Sequence, residues 1–172
     1  MHFASKLSLI VLLAAIGACD EDRPQQLPLA PMAVAPNALS AYVAVSNSKP
    51  AIGSQVTVWV RARRGSAVGA IGSFTIRLAY DSTRLRFKEA GRSDQGMVLA
   101  NGANAGFLIA AGASAEGFKN DELLAATFVA TSANALSFLE LSVTELNSVK
   151  FEDQKSNMRV ERALYRGNPA AK

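Results

Sequence analysis

The clearest signal in this chain is alternation. Over residues 71–87, IGSFTIRLAYDSTRLRF, the side chains of Phe74, Ile76, Leu78 and Tyr80 fall on one side of an extended strand, and Ser73, Thr75, Arg77 and Ala79 fall on the other. Asp81, Ser82 and Thr83 then supply short side chains that can bond the backbone of a tight turn. After them Leu85 and Phe87 resume an inward alternation against Arg84, Arg86 and Lys88. The stretch predicts strand, turn, strand, the pair around which the rest is organised.

The same period of two recurs along the chain. Tyr42, Val43 and Val45 predict a first strand, which Asn47, Ser48, Lys49 and Pro50 interrupt. Residues 55–61 send Val56, Val58 and Val60 inward and leave Trp59 facing outward between Thr57 and Arg61. Residues 61–72, 91–106 and 114–121 read as loops, and 107–111 as a short strand ending at Gly112. Leu124, Ala126, Phe128 and Ala130 alternate inward, as do Leu139, Leu141 and Val143, and residues 158–165 read as a closing strand. Eight or nine short strands without a helical period predict an all-β, antiparallel sandwich.

The two ends break the pattern. Lys6, an apolar run over 7–16 and the closing Ile16, Gly17, Ala18 and Cys19 form an export signal too short to span a bilayer permanently. Those last four residues resemble the bacterial lipobox, which makes Cys19 the candidate lipidation site and the new N-terminus. Cys19 is the sole cysteine, so an internal disulfide is excluded. Residues 19–40 hold four of the six prolines and read as a semi-stiff acylated tether. The expected order is signal 1–18, tether 19–40, sandwich 41–166 and tail 167–172, with the domain exported and held at the cell envelope.

A length of 172 residues suits one domain with short extensions, and 49% hydrophobic with 19% charged residues excludes a polar disordered chain. The formal net charge of +4 is spread over several strands, with Arg61, Arg63, Arg64, Arg84, Arg86, Lys88 and Arg92 read as solvated faces and loops. No basic stripe interleaves with aromatics, which excludes a nucleic-acid site. The one histidine, His2, leaves with the signal, so no Ser-His-Asp or Cys-His arrangement exists in the mature chain. There is no zinc ligand set and no phosphate-cradling glycine motif, and Asp94, Asn101 and Asn104 match no calcium loop. Adjacent carboxylates, Asp121 with Glu122 and Glu152 with Asp153, are turn residues rather than a pair held across a cleft. The expectation is a chain without catalysis, cofactor or metal.

Taken together, Gly53 with Val56, Thr57 and Val58; Gly72 and Phe74 through Tyr80 and Asp81 to Leu85 and Phe87; Ala111, Gly112 and Ala113; residues 123–128; and residues 139–146 resemble, in order, the cohesin domain. The resemblance covers about residues 41–151. It implies a nine-stranded jelly roll, related in fold to carbohydrate-binding modules, that holds a dockerin-bearing protein through one exposed sheet face. In the family the strand matching residues 73–80 contributes to that face, often with acidic or amide side chains. Here Ser73, Thr75 and Arg77 stand outward and are the candidate partner contacts. Such a difference in charge bears on which partner is accepted. Trp59 is the candidate stacking residue of the alternative reading, a module binding envelope or extracellular polysaccharide. A third reading is a structural envelope protein.

Overall fold

The computed structural model describes residues 27–91, 96–118 and 122–167. The expected signal segment 1–18, Cys19 and the first residues of the expected tether lie outside them, as do Arg92, Asp94, Asp121 and residues 168–172. Nine strands follow in order: β1 (Leu39–Val45), β2 (Gln55–Arg64), β3 (Ile71–Tyr80), β4 (Leu85–Ala90), β5 (Met97–Asn101), β6 (Phe107–Ala113), β7 (Glu122–Ala130), β8 (Leu139–Ser148) and β9 (Met158–Arg166). They form a five-stranded sheet, β4-β7-β2-β1-β9, and a four-stranded sheet, β5-β6-β3-β8. The architecture is an all-β jelly-roll sandwich.

The inward residues of the alternating stretches are the core. Val56, Val58 and Val60 of β2, and Ile76 and Leu78 of β3, are fully buried, while Phe128 of β7 packs edge-on against Tyr80 and Phe87 with centroids 5.0 and 5.7 Å away. Each such side chain taken out of water stabilises the fold by about 1.5–3 kcal/mol. Phe118, in a segment expected to be only loop, completes this core by meeting Phe74 at 5.1 Å. Gly112 faces the same place, and a Cβ there would lie 2.5 Å from the Phe74 ring.

Four features differ from the sequence expectation. The turn at Asp81 forms as expected, with the Asp81 carboxylate accepting from the Thr83 amide at 2.9 Å and its hydroxyl at 2.6 Å. However, it carries the chain from one sheet to the other. β3 pairs with β6 and β8, and β4 pairs with β7, so the two strands are not a hairpin. Second, β9 runs parallel to β1, the one parallel pair among the described strands. Third, residues 91–106, expected to be loop, contain the edge strand β5.

Fourth, the sandwich starts at Leu39 rather than Ala41, and the described part of the expected tether is not a free spacer. The Arg166 amide donates to the Pro28 carbonyl at 2.8 Å, the Ala67 amide to Pro36 at 2.9 Å and the Gly65 amide to Ala38 at 2.8 Å. The Arg63 guanidinium also reaches the Met32 carbonyl. Residues 28–38 thus form a strap from the end of β9 across the outer side of the five-stranded sheet to the β2–β3 loop. Proline suits this place, because a segment bound through its carbonyls need not donate a ladder hydrogen bond at every residue.

Candidate protein-docking face

The four strands β5, β6, β3 and β8 present one broad outer face. Register fixes its rows: Met97, Ala113, Ser73 and Asn147; Leu99, Ala111, Thr75 and Glu145; Asn101, Ile109, Arg77 and Ser142; and Phe107, Ala79 and Glu140. The expected contacts Ser73, Thr75 and Arg77 therefore lie together in the middle of the face, Arg77 exposed and the other two half-buried.

The face divides by chemistry. Across β5 and β6 it is apolar, with Met97 65%, Leu99 66% and Ile109 42% exposed to solvent beside Ala111 and Ala113. Across β3 and β8 it is polar and internally ordered. The Thr75 hydroxyl donates to one Glu145 carboxylate oxygen at 3.2 Å, and the Asn147 amide donates to the other at 3.1 Å and to the Ser73 hydroxyl at 3.2 Å. The Arg77 guanidinium lies 4.7 Å from the centroid of the Phe107 ring and joins the two halves.

Glu145 and Asn147 share this face because β8 carries a bulge. Thr75 pairs with Glu145 but Ile76 with Val143, so Thr144 is an extra residue and the inward set changes from Leu141 and Val143 to Leu146 and Ser148. A matching irregularity in β3 falls at Gly72, where a Cβ would sit 2.7 Å from the Ser148 carbonyl oxygen and the Val149 Cα. Only a residue without a side chain lets the two strands approach there. Strict parity over residues 139–146 misses the switch, which is why these acid and amide groups were not among the expected contacts. Met97 and Leu99 were missed for another reason: on an edge strand they point outward, the reverse of the usual pattern. Two glycines, Gly96 and Gly102, bracket β5 and were the signal available.

Trp59 is not on this face. It lies on the outer side of the five-stranded sheet, half-buried against Tyr42, Ala44 and Tyr165. Tyr42 and Tyr165 meet edge-on at 5.5 Å and are only 5% and 9% exposed. Beside them the Tyr165 hydroxyl donates to Glu161 at 2.6 Å and the Ser40 hydroxyl donates to it at 2.7 Å, while Arg63 pairs with Glu161 and stacks 5.6 Å over Tyr42. Burial alone would raise the Glu161 carboxyl, but the hydrogen bonds from Tyr165 and Ser40 and the Arg63 charge outweigh it and hold the group below its ordinary range. Burial, then the bond to Glu161 and its charge, push the Tyr165 phenol up to about 12. This polar cluster lies under the strap, with a cavity of about 650 Å³ between them.

Among the described residues no three His, Cys, Asp or Glu side chains come together to hold a metal ion. The geometry defines a β-sandwich with one open, chemically divided sheet face. No family model matches the sequence, and no curated protein does. Solved structures do match in shape. A non-cellulosomal cohesin from the archaeon Archaeoglobus fulgidus is 14% identical, with a TM-score of 0.53 over 74% of this chain and 88% of that one. The cohesin module of a family 33 glycoside hydrolase from Clostridium perfringens is 12% identical, with a TM-score of 0.56 over 73% and 99%. The sixth cohesin of scaffoldin B from Acetivibrio cellulolyticus, solved in complex with a dockerin, is 16% identical, with a TM-score of 0.54 over 74% and 99%. The chain has the fold of a cohesin module.

Proposed function

We propose that the chain is a non-catalytic, cohesin-like binding module that holds a protein partner on the outer face of the β5-β6-β3-β8 sheet. The observation that carries this is the strip of Met97, Leu99 and Ile109, large apolar side chains left in water next to an ordered polar strip. Apolar contact at the centre with polar groups alongside is the composition of a protein interface. A dockerin-bearing protein is the partner class this reading favours, because a structural neighbour was solved with one. In the same proposal Cys19 carries the lipid, and the domain stands at the extracytoplasmic side of a membrane.

The test uses the full chain as bait on detergent-solubilised envelope, with and without a calcium chelator, since dockerins fold around calcium. A protein retained only with calcium, and not by a Leu99→Asp bait, is the expected result. Retention equal in both baits would remove the face from the proposal. For the anchor, a Cys19→Ala chain should leave the membrane fraction; one that stays there would sink the lipidation reading.

The polysaccharide reading gains no support from the aromatic residues of the sandwich. Stacking on a sugar chain needs several exposed rings in one plane, whereas Tyr42 and Tyr165 are buried beside Trp59.

A further inference from the structure

The loop between β8 and β9 is built tightly around one wholly exposed side chain. Ser148, itself buried, accepts from the Lys150 amide at 3.1 Å and the Glu152 amide at 3.2 Å through its hydroxyl, and its carbonyl accepts from the Phe151 amide at 2.9 Å. The Ser148 amide donates to the Glu152 carbonyl at 2.9 Å, and the Val149 amide ties the loop to Ala70 at 2.9 Å. At its tip Phe151 is 90% exposed and has a φ of 64°. A bulky residue in the left-handed region is strained, and an exposed phenyl ring gains nothing from folding. Six hydrogen bonds, counting the Ser148 hydroxyl to the Glu152 carboxylate at 3.2 Å, hold these two unfavourable features in place and present the ring to solvent, where a contact outside the protomer can cover it.

A receptor for the ring lies on the same side of the molecule. β8 and β9 are the end strands of their sheets, and between them opens a cleft of about 580 Å³. Its floor is core: Val43, Leu141, Val160 and Leu164. Its rim is charged, with Glu140 and Arg162 both exposed. Cleft and loop stand at opposite ends of β8, eight residues or roughly 25 Å apart by strand rise. We propose that a second copy of this chain occupies the cleft, with Phe151 of each copy inserted into the cleft of the other. A two-fold axis through the middle of the β8 edge, near Thr144, makes the contact self-complementary and closed. The flanking charges then oppose one another: Lys150 meets Glu140 of the other copy, and Glu152 and Asp153 meet its Arg162. The dimer engages only the Glu140 corner of the outer face of the four-stranded sheet and leaves Met97, Leu99 and Ile109 open, so a partner can dock on that apolar strip in the dimer.

Sedimentation velocity on the full chain, from about micromolar to about millimolar concentration, tests this. The expected result is a concentration-dependent dimer that Phe151→Asp and Phe151→Gly both reduce to monomer. Phe151→Gly should at the same time raise the thermal midpoint of the monomer, because glycine tolerates the left-handed backbone, and a merely structural phenylalanine would lower it. Lys150→Glu should weaken the dimer at least tenfold, and adding Glu140→Lys should restore it. A wild-type chain that is monomeric throughout overturns the proposal, as does a dimer that both Phe151 variants leave intact. So does a monomer whose binding to phosphatidylcholine–phosphatidylglycerol vesicles is lost in Phe151→Asp, which would assign the ring to a membrane surface.

Discussion

Arg77 and Phe107 face each other across β3 and β6, the guanidinium 4.7 Å from the ring centroid, at the boundary between the apolar and polar halves of the proposed docking face. Arg77 is exposed, so the contact contributes about 0.5–1 kcal/mol to stability, and the Thr75 to Glu145 hydrogen bond beside it adds a similar amount. The double variant Arg77→Ala, Thr75→Ala should therefore stay folded, with a small fall in the urea midpoint. Its retention of a captured partner should drop at least tenfold. Unchanged retention would move the contact region off β3 and onto β5 and β6 alone.

The strap makes a second set of expectations, this time in pH. Glu161 is held below its ordinary range by Tyr165, Ser40 and Arg63 against the opposing effect of burial. A depressed carboxyl adds stability above its unfolded value, and that stability is lost as the pH falls through the folded value. Acid should therefore loosen the β9 edge, and Glu161→Gln should flatten this acid limb while lowering stability at neutral pH. Tyr165 behaves in the opposite sense. Its contribution is complete below the ordinary phenol value near 10 and disappears as the pH rises toward about 12. Tyr165→Phe should lack that alkaline limb. Hydrogen exchange at the Arg166 and Ala67 amides, which bond Pro28 and Pro36, reads the strap directly. A chain starting at Ala41 should lose protection at both.

The sequence disclosed the sandwich because burial is one-sided: a strand with water on one face must alternate, and β2, β3 and β7 do. It disclosed Ser73, Thr75 and Arg77 as outward for the same reason. What stayed hidden are places where alternation fails for a local cause. In β8 the bulge at Thr144 shifts the parity and brings Glu145 and Asn147 to the face. In β5 the two largest apolar residues, Met97 and Leu99, point outward, while Val98 and Ala100 pack against the core. Partnership between strands was not legible either, since a two-sheet fold lets a tight turn at Asp81 join different sheets as easily as it closes a hairpin. The strap was hidden by composition, because a proline-rich segment bound through its carbonyls reads like a free tether.

At Gly72 the two bulged strands leave no room for a side chain. A Cβ there would stand 2.7 Å from backbone atoms of Ser148 and Val149, which are not the yielding ends of flexible side chains. Gly72→Ala should force β3 and β8 apart and cost about 1–3 kcal/mol, measured as a lower denaturant midpoint at unchanged slope. Because the shift would also displace Ser73 and Asn147, partner retention should fall together with stability. A Gly72→Ala chain as stable as wild type would show that the strands have room at this point.

Met97 and Leu99 give the sharpest separation between folding and binding. Both project from an edge strand into solvent, so a charge at either position removes no core contact and should change stability by less than about 0.5 kcal/mol. Aspartate on this edge should even improve solubility, because an outward apolar strip on an edge strand invites association. Bound to a partner, the same two side chains would lie in the dry part of the interface, where an unpaired carboxylate is costly. Leu99→Asp is thus expected to lower affinity by 2 kcal/mol or more, about thirtyfold, with the thermal midpoint unmoved. Glu140→Lys, at the far corner of the face, should alter the salt dependence and association rate more than the lifetime of the complex. If Leu99→Asp binds as wild type does while Glu140→Lys fails, the partner sits on the polar half, and the exposed strip of β5 has a different use.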